Sequence, residues 1–139
     1  MSGDGPLVAG VEWYVQYREM NWNGQMISLK EGDNCFMLDG DVCIVRNIVK
    51  SSAQSTNVTL LYEVFAVQVD YFSLLISCGP DFTDNPLHSG DIGIWKVSSL
   101  LQDDMKQSQI NKFKSVVKCV LLPTNDAGIS VAMPMLHNI

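Results

Sequence analysis

The sequence predicts an all-β fold: a small, largely antiparallel barrel with one short helix, or, as the alternative, a β-sandwich. Three observations support this prediction. Seven or eight short apolar runs follow one another at intervals of about 8–15 residues. Single glycines and prolines separate these runs as turn markers. Beyond the N-terminal segment, only residues 105–113 combine helical length with a composition that tolerates a helix.

The N-terminal part contains a leader and an aromatic-rich segment. Residues 1–10 have no basic start, so we expect a flexible leader rather than a signal peptide, followed by one barrel-like domain over residues 11–139. Residues 11–22 mix large apolar side chains with polar ones, which fits either an extended arm or a short amphipathic helix. Asn23 and Gly24 predict a turn at its end.

The first half of the domain contains a predicted hairpin and the longest predicted strand. Residues 35–38 and 42–49 flank Asp39-Gly40, a pair that favours a type I′ turn because both central residues need a positive φ. After a polar loop, residues 58–69 alternate with apolar side chains on both faces, and Phe65 and Val67 fall on the same face. We therefore expect this strand to be covered on both sides, or, as the alternative, to bend between two layers as barrel strands do.

The second half adds further strand candidates, separated by loops. They cover residues 71–78, 91–97, 116–122 and 129–136. The segment 79–90 is predicted to be a loop, and residues 105–113 are the predicted short helix. Pro134 lacks an N–H, so we expect it at the edge or the end of the last strand.

Composition and charge exclude several classes of protein. With 139 residues, 47% of them hydrophobic and 17% charged, the chain can bury a core without disulfides and is too apolar for a disordered chain or a coiled coil. The net charge of −6 makes a nucleic-acid partner unlikely, because phosphate binding needs clustered cations. No apolar run reaches membrane-spanning length, so we expect no membrane contact.

The cysteines predict a reducing compartment. Cys35, Cys43, Cys78 and Cys119 lack the paired short spacing of zinc sites, and most of them lie in apolar runs. We therefore expect free, mostly buried thiols, no metal, no cofactor, and a nuclear or cytoplasmic location.

No catalytic motif is present, and we expect a non-enzymatic protein. Glycine-rich phosphate loops, HExxH and GxSxG are all absent. The alternative is a small metal-dependent enzyme whose site gathers Asp81, Asp84, His88 and Asp91, since carboxylates and imidazole are competent metal ligands.

Four aromatic side chains near the N-terminus are the predicted partner-binding residues: Trp13, Tyr14, Tyr17 and Trp22. Aromatic rings attract cations, and the negative net charge favours a basic peptide. We therefore expect a protein-interaction domain with a protein or basic-peptide partner. Two alternatives remain open: these rings fill the domain's own core, or the domain self-associates as a structural homo-oligomer through residues 74–76 or the exposed face of its last hairpin.

Two resemblances add to these expectations. Residues 40–45 (Gly-Asp-Val-Cys-Ile-Val), followed by the run 60–72 with its acidic end, resemble the bromo-adjacent homology domain. That resemblance implies an all-β, chromatin-associated reader, and it assigns no ligand-binding residue here. The segments 93–97 (Gly-Ile-Trp-Lys-Val), 121–123 (Leu-Leu-Pro) and 132–137 (Ala-Met-Pro-Met-Leu-His) resemble uncharacterised β-rich C-terminal segments of transposon-derived animal proteins. The second resemblance covers about residues 25–137 and implies a shared fold without an activity.

Overall fold

The structure is a computed structural model that describes residues 15–52, 54–76, 85–100 and 105–135. Its described part contains twelve strands and two 3₁₀ turns, Ser89–Ile92 and Ile110–Lys112. The strands are β1 Val15–Tyr17, β2 Glu19–Trp22, β3 Gln25–Ser28, β4 Cys35–Leu38, β5 Asp41–Lys50, β6 Thr59–Asp70, β7 Ser73–Ile76, β8 Asn85–His88, β9 Trp95–Leu100, β10 Lys106–Gln109, β11 Val116–Pro123 and β12 Ile129–Pro134.

Six of these strands form a closed ring of hydrogen-bonded neighbours. The order around the ring is β5–β4–β11–β12–β9–β6, and β6 pairs with β5 to close it. Every neighbouring pair is antiparallel. Strands β1 and β10 extend the sheet by pairing with β5 and β6, and β2–β3 and β7–β8 are separate two-stranded sheets. The prediction of a small, largely antiparallel all-β domain is confirmed.

The hairpin between β4 and β5 turns at the predicted residues. Asp39 and Gly40 have φ values of 51° and 90°, as a type I′ turn requires. The turn is also tied to the strand beside it, since the Asp39 Oδ1 atom accepts a hydrogen bond of 2.8 Å from the Ser115 N–H. The turn between β2 and β3 has the same character, with φ values of 49° and 83° at Asn23 and Gly24.

Two buried clusters lie on opposite sides of β4, β5 and β6. The inner cluster fills the ring and consists of Cys35, Met37, Val42, Ile44, Val97, Cys119 and Ala132. The outer cluster lies between the ring and the β2–β3 hairpin, and consists of Ile27, Phe36, Leu38, Cys43, Val45, Ile48, Val58, Leu60 and Ile110. Complete burial of one such aliphatic side chain contributes about 1.5–3 kcal/mol.

Strand β6 contacts both clusters, as its two apolar faces predict. Leu60 and Tyr62 belong to the outer cluster or pack against it, and Phe65 packs against the inner one. The alternation does not continue to the end of the strand. Gln68 pairs with the inward residue Val97, so Val67 points away from the ring and is 44% exposed. The prediction that Phe65 and Val67 share a face is therefore wrong.

The predicted helix at residues 105–113 is also wrong. Lys106–Gln109 forms β10, which pairs with β6, and Ile110–Lys112 forms a 3₁₀ turn. The segment is too polar to bury one face of a helix, whereas β6 offers it an edge of unpaired backbone groups. The Ile110 N–H donates to the Val58 carbonyl at 2.8 Å, and the Ile110 side chain enters the outer cluster.

Two other segments differ from expectation. The described part of residues 11–22 is extended, as β1 and β2, so the helical alternative is wrong there. The predicted loop at 79–90 includes β8, and β9 begins only at Trp95, after the 3₁₀ turn. Pro134 is the last residue of β12, which confirms its predicted place at a strand end.

Candidate functional site

The predicted aromatic partner site is only partly within the described residues. Trp13 and Tyr14 lie outside them. Tyr17 is half-buried on β1 and packs against the outer cluster. The Lys50 ammonium lies 5.4 Å from the centre of the Tyr17 ring, within the range of a cation–π contact. This ring therefore interacts with a cation of its own chain.

Trp22 is also half-buried against the outer cluster, and it lines a groove of about 460 Å³ beside β11. Phe113 and Lys114 contribute to the same groove. The described lining contains Lys114 and no acidic side chain, so a basic peptide would meet no opposite charge there. No ring contact joins Tyr17 to Trp22 in the described part of the chain.

Only two of the four residues of the predicted acidic site, His88 and Asp91, lie within the described residues. Asp81 and Asp84 fall outside the described residues. The His88 Nδ1 atom lies 3.2 Å from Asp70 Oδ2 and 3.0 Å from the Ser73 hydroxyl, while the His88 backbone N–H donates to Asp91 Oδ2 at 3.4 Å. The contact with Asp70 joins the β7–β8 hairpin to the end of β6. Among the described residues, no three metal-ligating side chains are grouped as an ion would require.

A pocket of about 650 Å³ opens at the end of the ring under the loop between β3 and β4. Arg46 lines it, together with Cys35 and Phe65. The Arg46 Nε atom donates to Glu63 Oε1 at 2.5 Å, and Glu63 is buried behind it. The residue pattern did not predict this ion pair. The sequence feature that could have indicated the pair is that Arg46 and Glu63 are each a single charged residue within an apolar strand-forming run.

The three cysteines in the described residues are free and buried, as predicted. Cys35 and Cys119 belong to the inner cluster and Cys43 to the outer one. Cys78 lies outside the described residues.

The outward side of β6, β9, β12 and β11 forms a largely apolar surface, which we call the outward face. Directly paired residues share one side of a sheet. The register therefore places one row across all four strands: Val69, Lys96, Val131 and Leu122. Val69 and Leu122 are each 43% exposed, whereas Val131 between them is buried, and a groove of about 370 Å³ lies beside Leu122 and Val131.

On the other half of the ring, the outward side of β4 and β5 is covered by another part of the chain. The outward residues Phe36 and Cys43 of β4 and β5 are fully buried, because the outer cluster continues into the β2–β3 hairpin. No described segment covers Val67, Val69 or Leu122 in the same way. The exposed face of the final hairpin was an expected interface, but its continuation onto β9 and β6 was not predicted.

No helix in the described ranges is long and apolar enough to cross a membrane.

Comparisons with known proteins identify a family and no relative of known function. Neither the curated proteins nor the solved structures include a significant match to this chain. One family model matches residues 1–135, that of the domain of unknown function DUF8592. Because this match spans nearly the whole sequence, the chain belongs to the DUF8592 family.

Proposed function

We propose that this domain is a protein-interaction module that binds its partner through the outward face. The observation that supports the proposal is the row of Val69, Lys96, Val131 and Leu122, which presents apolar side chains at the ends of the row to solvent. Apolar surface of this kind, with polar residues around it, is typical of interaction sites on folded domains. Burying it against a partner would remove side chains such as Val69 from water.

The charge in this row indicates the chemistry of the partner. Lys96 is the charged residue of the row, with Val69 and Val131 as its direct neighbours across the strands. A partner surface that places a carboxylate over Lys96 and apolar side chains over the exposed Val69 and Leu122 would be complementary to it. We therefore propose an apolar segment that carries one acidic residue.

A second copy of the chain fits this face less well. In a two-fold interface the same face meets itself, so a central Lys96 would approach its own counterpart. Each copy also has a net charge of −6, which opposes association. The basic peptide, the chromatin association and the nuclear or cytoplasmic location remain predictions, because they rest on the net charge, the resemblance and the cysteines.

A titration followed by two-dimensional amide NMR tests the proposal. The probes are two synthetic amphipathic peptides that differ only in one central residue of the apolar side, Glu or Lys. We expect the Glu peptide to shift the amide signals of Val69, Lys96 and Val131, and to bind at least tenfold more tightly than the Lys peptide, a difference of about 1.4 kcal/mol. Lys96→Glu should reverse that preference.

A matched control distinguishes specific binding at the outward face from non-specific hydrophobic binding. Met26 is 39% exposed on β3, away from the outward face, and Met26→Gln should leave binding unchanged. Val69→Thr keeps a β-branched side chain and should weaken binding. Shifts centred on the groove at Trp22, preference for the Lys peptide, or no shift with either peptide would contradict the proposal. Concentration-dependent dimerisation that Val69→Thr abolishes would identify a second copy as the occupant instead.

A further inference from the structure

Cys35 and Cys119 lie directly opposite each other on neighbouring strands of the ring. The register of β4 and β11 pairs Phe36 with Lys118, and the next pair along is Cys35 with Cys119. Opposed residues of an antiparallel pair have Cα atoms about 4.5 or 5.5 Å apart, and a disulfide accepts about 4.4–6.8 Å. Continuing this register by one pair therefore places the two residues at a backbone spacing that a disulfide accepts.

The two thiols also interact with each other. Both belong to the inner cluster, with exposures of 2% and 0%, and their side chains share a hydrogen bond. That interaction lowers the pKa of Cys119 and, together with burial, raises the pKa of Cys35. Thiolate character at one member of a close pair favours its oxidation.

A small molecule that enters the pocket at the end of the ring meets one member of this pair, Cys35. Cys35 lines the pocket at the end of the ring, which is otherwise bordered by polar residues such as Asn34 and Arg46 and by Phe65. Cys43 differs on each point. It faces the outer cluster, its Sγ atom donates to the Asp41 carbonyl at 3.1 Å, and it does not line this pocket.

We propose that Cys35 and Cys119 are an oxidative modification site, at which hydrogen peroxide entering the pocket converts the thiol pair into a disulfide between β4 and β11. In the first step one thiol and hydrogen peroxide give a sulfenic acid and one water. In the second step the other thiol attacks that sulfur, the S–S bond forms, and the hydroxyl group leaves with the thiol proton as a second water. Overall, two thiols lose two protons and two electrons, and the peroxide is reduced to two waters.

This inference is independent of the proposed function, since the pair lies inside the ring and the outward face is on its exterior. The disulfide would join two strands that are distant in sequence and so restrict the unfolded chain. We therefore expect the oxidised protein to melt at a higher temperature than the reduced protein, with the difference abolished by a thiol reductant.

Peptide mapping without reductant tests the site. The reduced full chain is treated with hydrogen peroxide, its remaining thiols are alkylated after denaturation, and the digest is analysed by mass spectrometry. We expect one linked pair of peptides, containing Cys35 and Cys119, with the loss of two hydrogen atoms. Cys43→Ala should retain this link. Cys119→Ala should lose it.

Each outcome decides the proposal. Two unlinked thiols after peroxide treatment, or a link from either cysteine to Cys43 or Cys78 in its place, would overturn it. If Cys119→Ala does not fold, the wild-type map and the reductant-sensitive melting temperature still decide between a Cys35–Cys119 disulfide and none.

Discussion

Arg46 and Glu63 form an ion pair whose geometry depends on a β-bulge. The register of β5 against β6 shifts between Val45 and Asn47, which leaves Arg46 as the extra residue of the bulged strand. The Arg46 Nε atom consequently reaches Glu63 Oε1 at 2.5 Å. The Glu63 Oε2 atom is buried without a hydrogen-bond partner among the described residues, so Arg46 supplies the counter-charge of this carboxylate.

Removing the cation of this pair is expected to destabilise the fold. Arg46→Met keeps an unbranched side chain and leaves the buried Glu63 carboxylate unpaired. We expect a loss of about 2 kcal/mol in the free energy of unfolding, at the lower end for buried pairs because the Arg46 side chain is 35% exposed. Urea denaturation at neutral pH measures the change.

The double variant Arg46→Met/Glu63→Leu is the control. With the carboxylate also removed, no charge remains buried, and we expect most of the lost stability to return. A single variant as stable as wild type would mean that water already solvates Glu63.

The turn between β4 and β5 is expected to reject a β-branched residue. Gly40 has a φ of 90°, which L side chains adopt only with strain, although no atom lies within 4 Å of the position of an added Cβ. Gly40→Val should therefore lower stability by about 1 kcal/mol or more through backbone strain alone. Thermal denaturation measures it, and Gly40→Asn, which tolerates positive φ better, should cost less. Equal stability of Gly40→Val and wild type would refute the turn assignment.

Local signals explain which parts of this fold could be predicted. The Asp39-Gly40 turn and the two apolar faces of β6 are visible in the sequence because each depends on neighbouring residues. Strand β10 could not be predicted, since its polar residues become a strand only where β6 presents a free edge. The outward face depends on the change of side between Phe65 and Val67, opposite Ser99 with its φ of 59°. That irregularity involves two strands and leaves no periodic pattern.

The candidate sites also differ in whether neighbouring residues or contacts between distant strands determine them. The aromatic segment was recognisable by composition, but whether Tyr17 and Trp22 faced a partner or the core depended on how the N-terminal hairpin folded over β4 and β5. The Cys35–Cys119 pair depends on the register of two strands far apart in sequence, which spacing alone does not specify.

Stability is expected to fall in alkaline solution because of Cys43. Burial, with a smaller contribution from Asp41, raises the pKa of Cys43 from 9.0 to about 12. The unfolded chain therefore loses this proton at a lower pH than the folded chain. The stabilisation is complete below about pH 9 and decreases as pH rises toward 12, by at most about 1.4 kcal/mol per pH unit.

Urea midpoints measured at intervals above pH 8 would show this dependence. Cys43→Ala removes the titrating group, so its stability should decrease less steeply with pH than that of wild type. Burial also raises the pKa of Tyr62, and Tyr62→Phe serves as a second comparison. Parallel pH profiles for wild type and Cys43→Ala would show that the Cys43 thiol is solvated.

Thiol accessibility provides another test of the fold. Cys35, Cys43 and Cys119 are all buried, so a bulky aromatic disulfide reagent should react with them slowly under native conditions. We expect at most one of the four thiols of the chain to react quickly, and all four to react after denaturation. Rapid reaction of all four in the native protein would contradict the two buried clusters.

The last prediction separates a core role from a binding role for Trp22. Its ring is half-buried against the outer cluster and also lines the groove beside Phe113. If packing is its main role, Trp22→Ala should lower the free energy of unfolding by about 2 kcal/mol, less than the 3–5 kcal/mol typical of fully buried large aromatics. Trp22→Phe should recover roughly half of that loss, since it restores apolar contact without the indole N–H. Urea denaturation gives both values, and the peptide titration on the outward face is the second readout. A Trp22→Ala variant that unfolds like wild type but no longer binds the peptide would assign Trp22 to the interaction surface and remove it from the core.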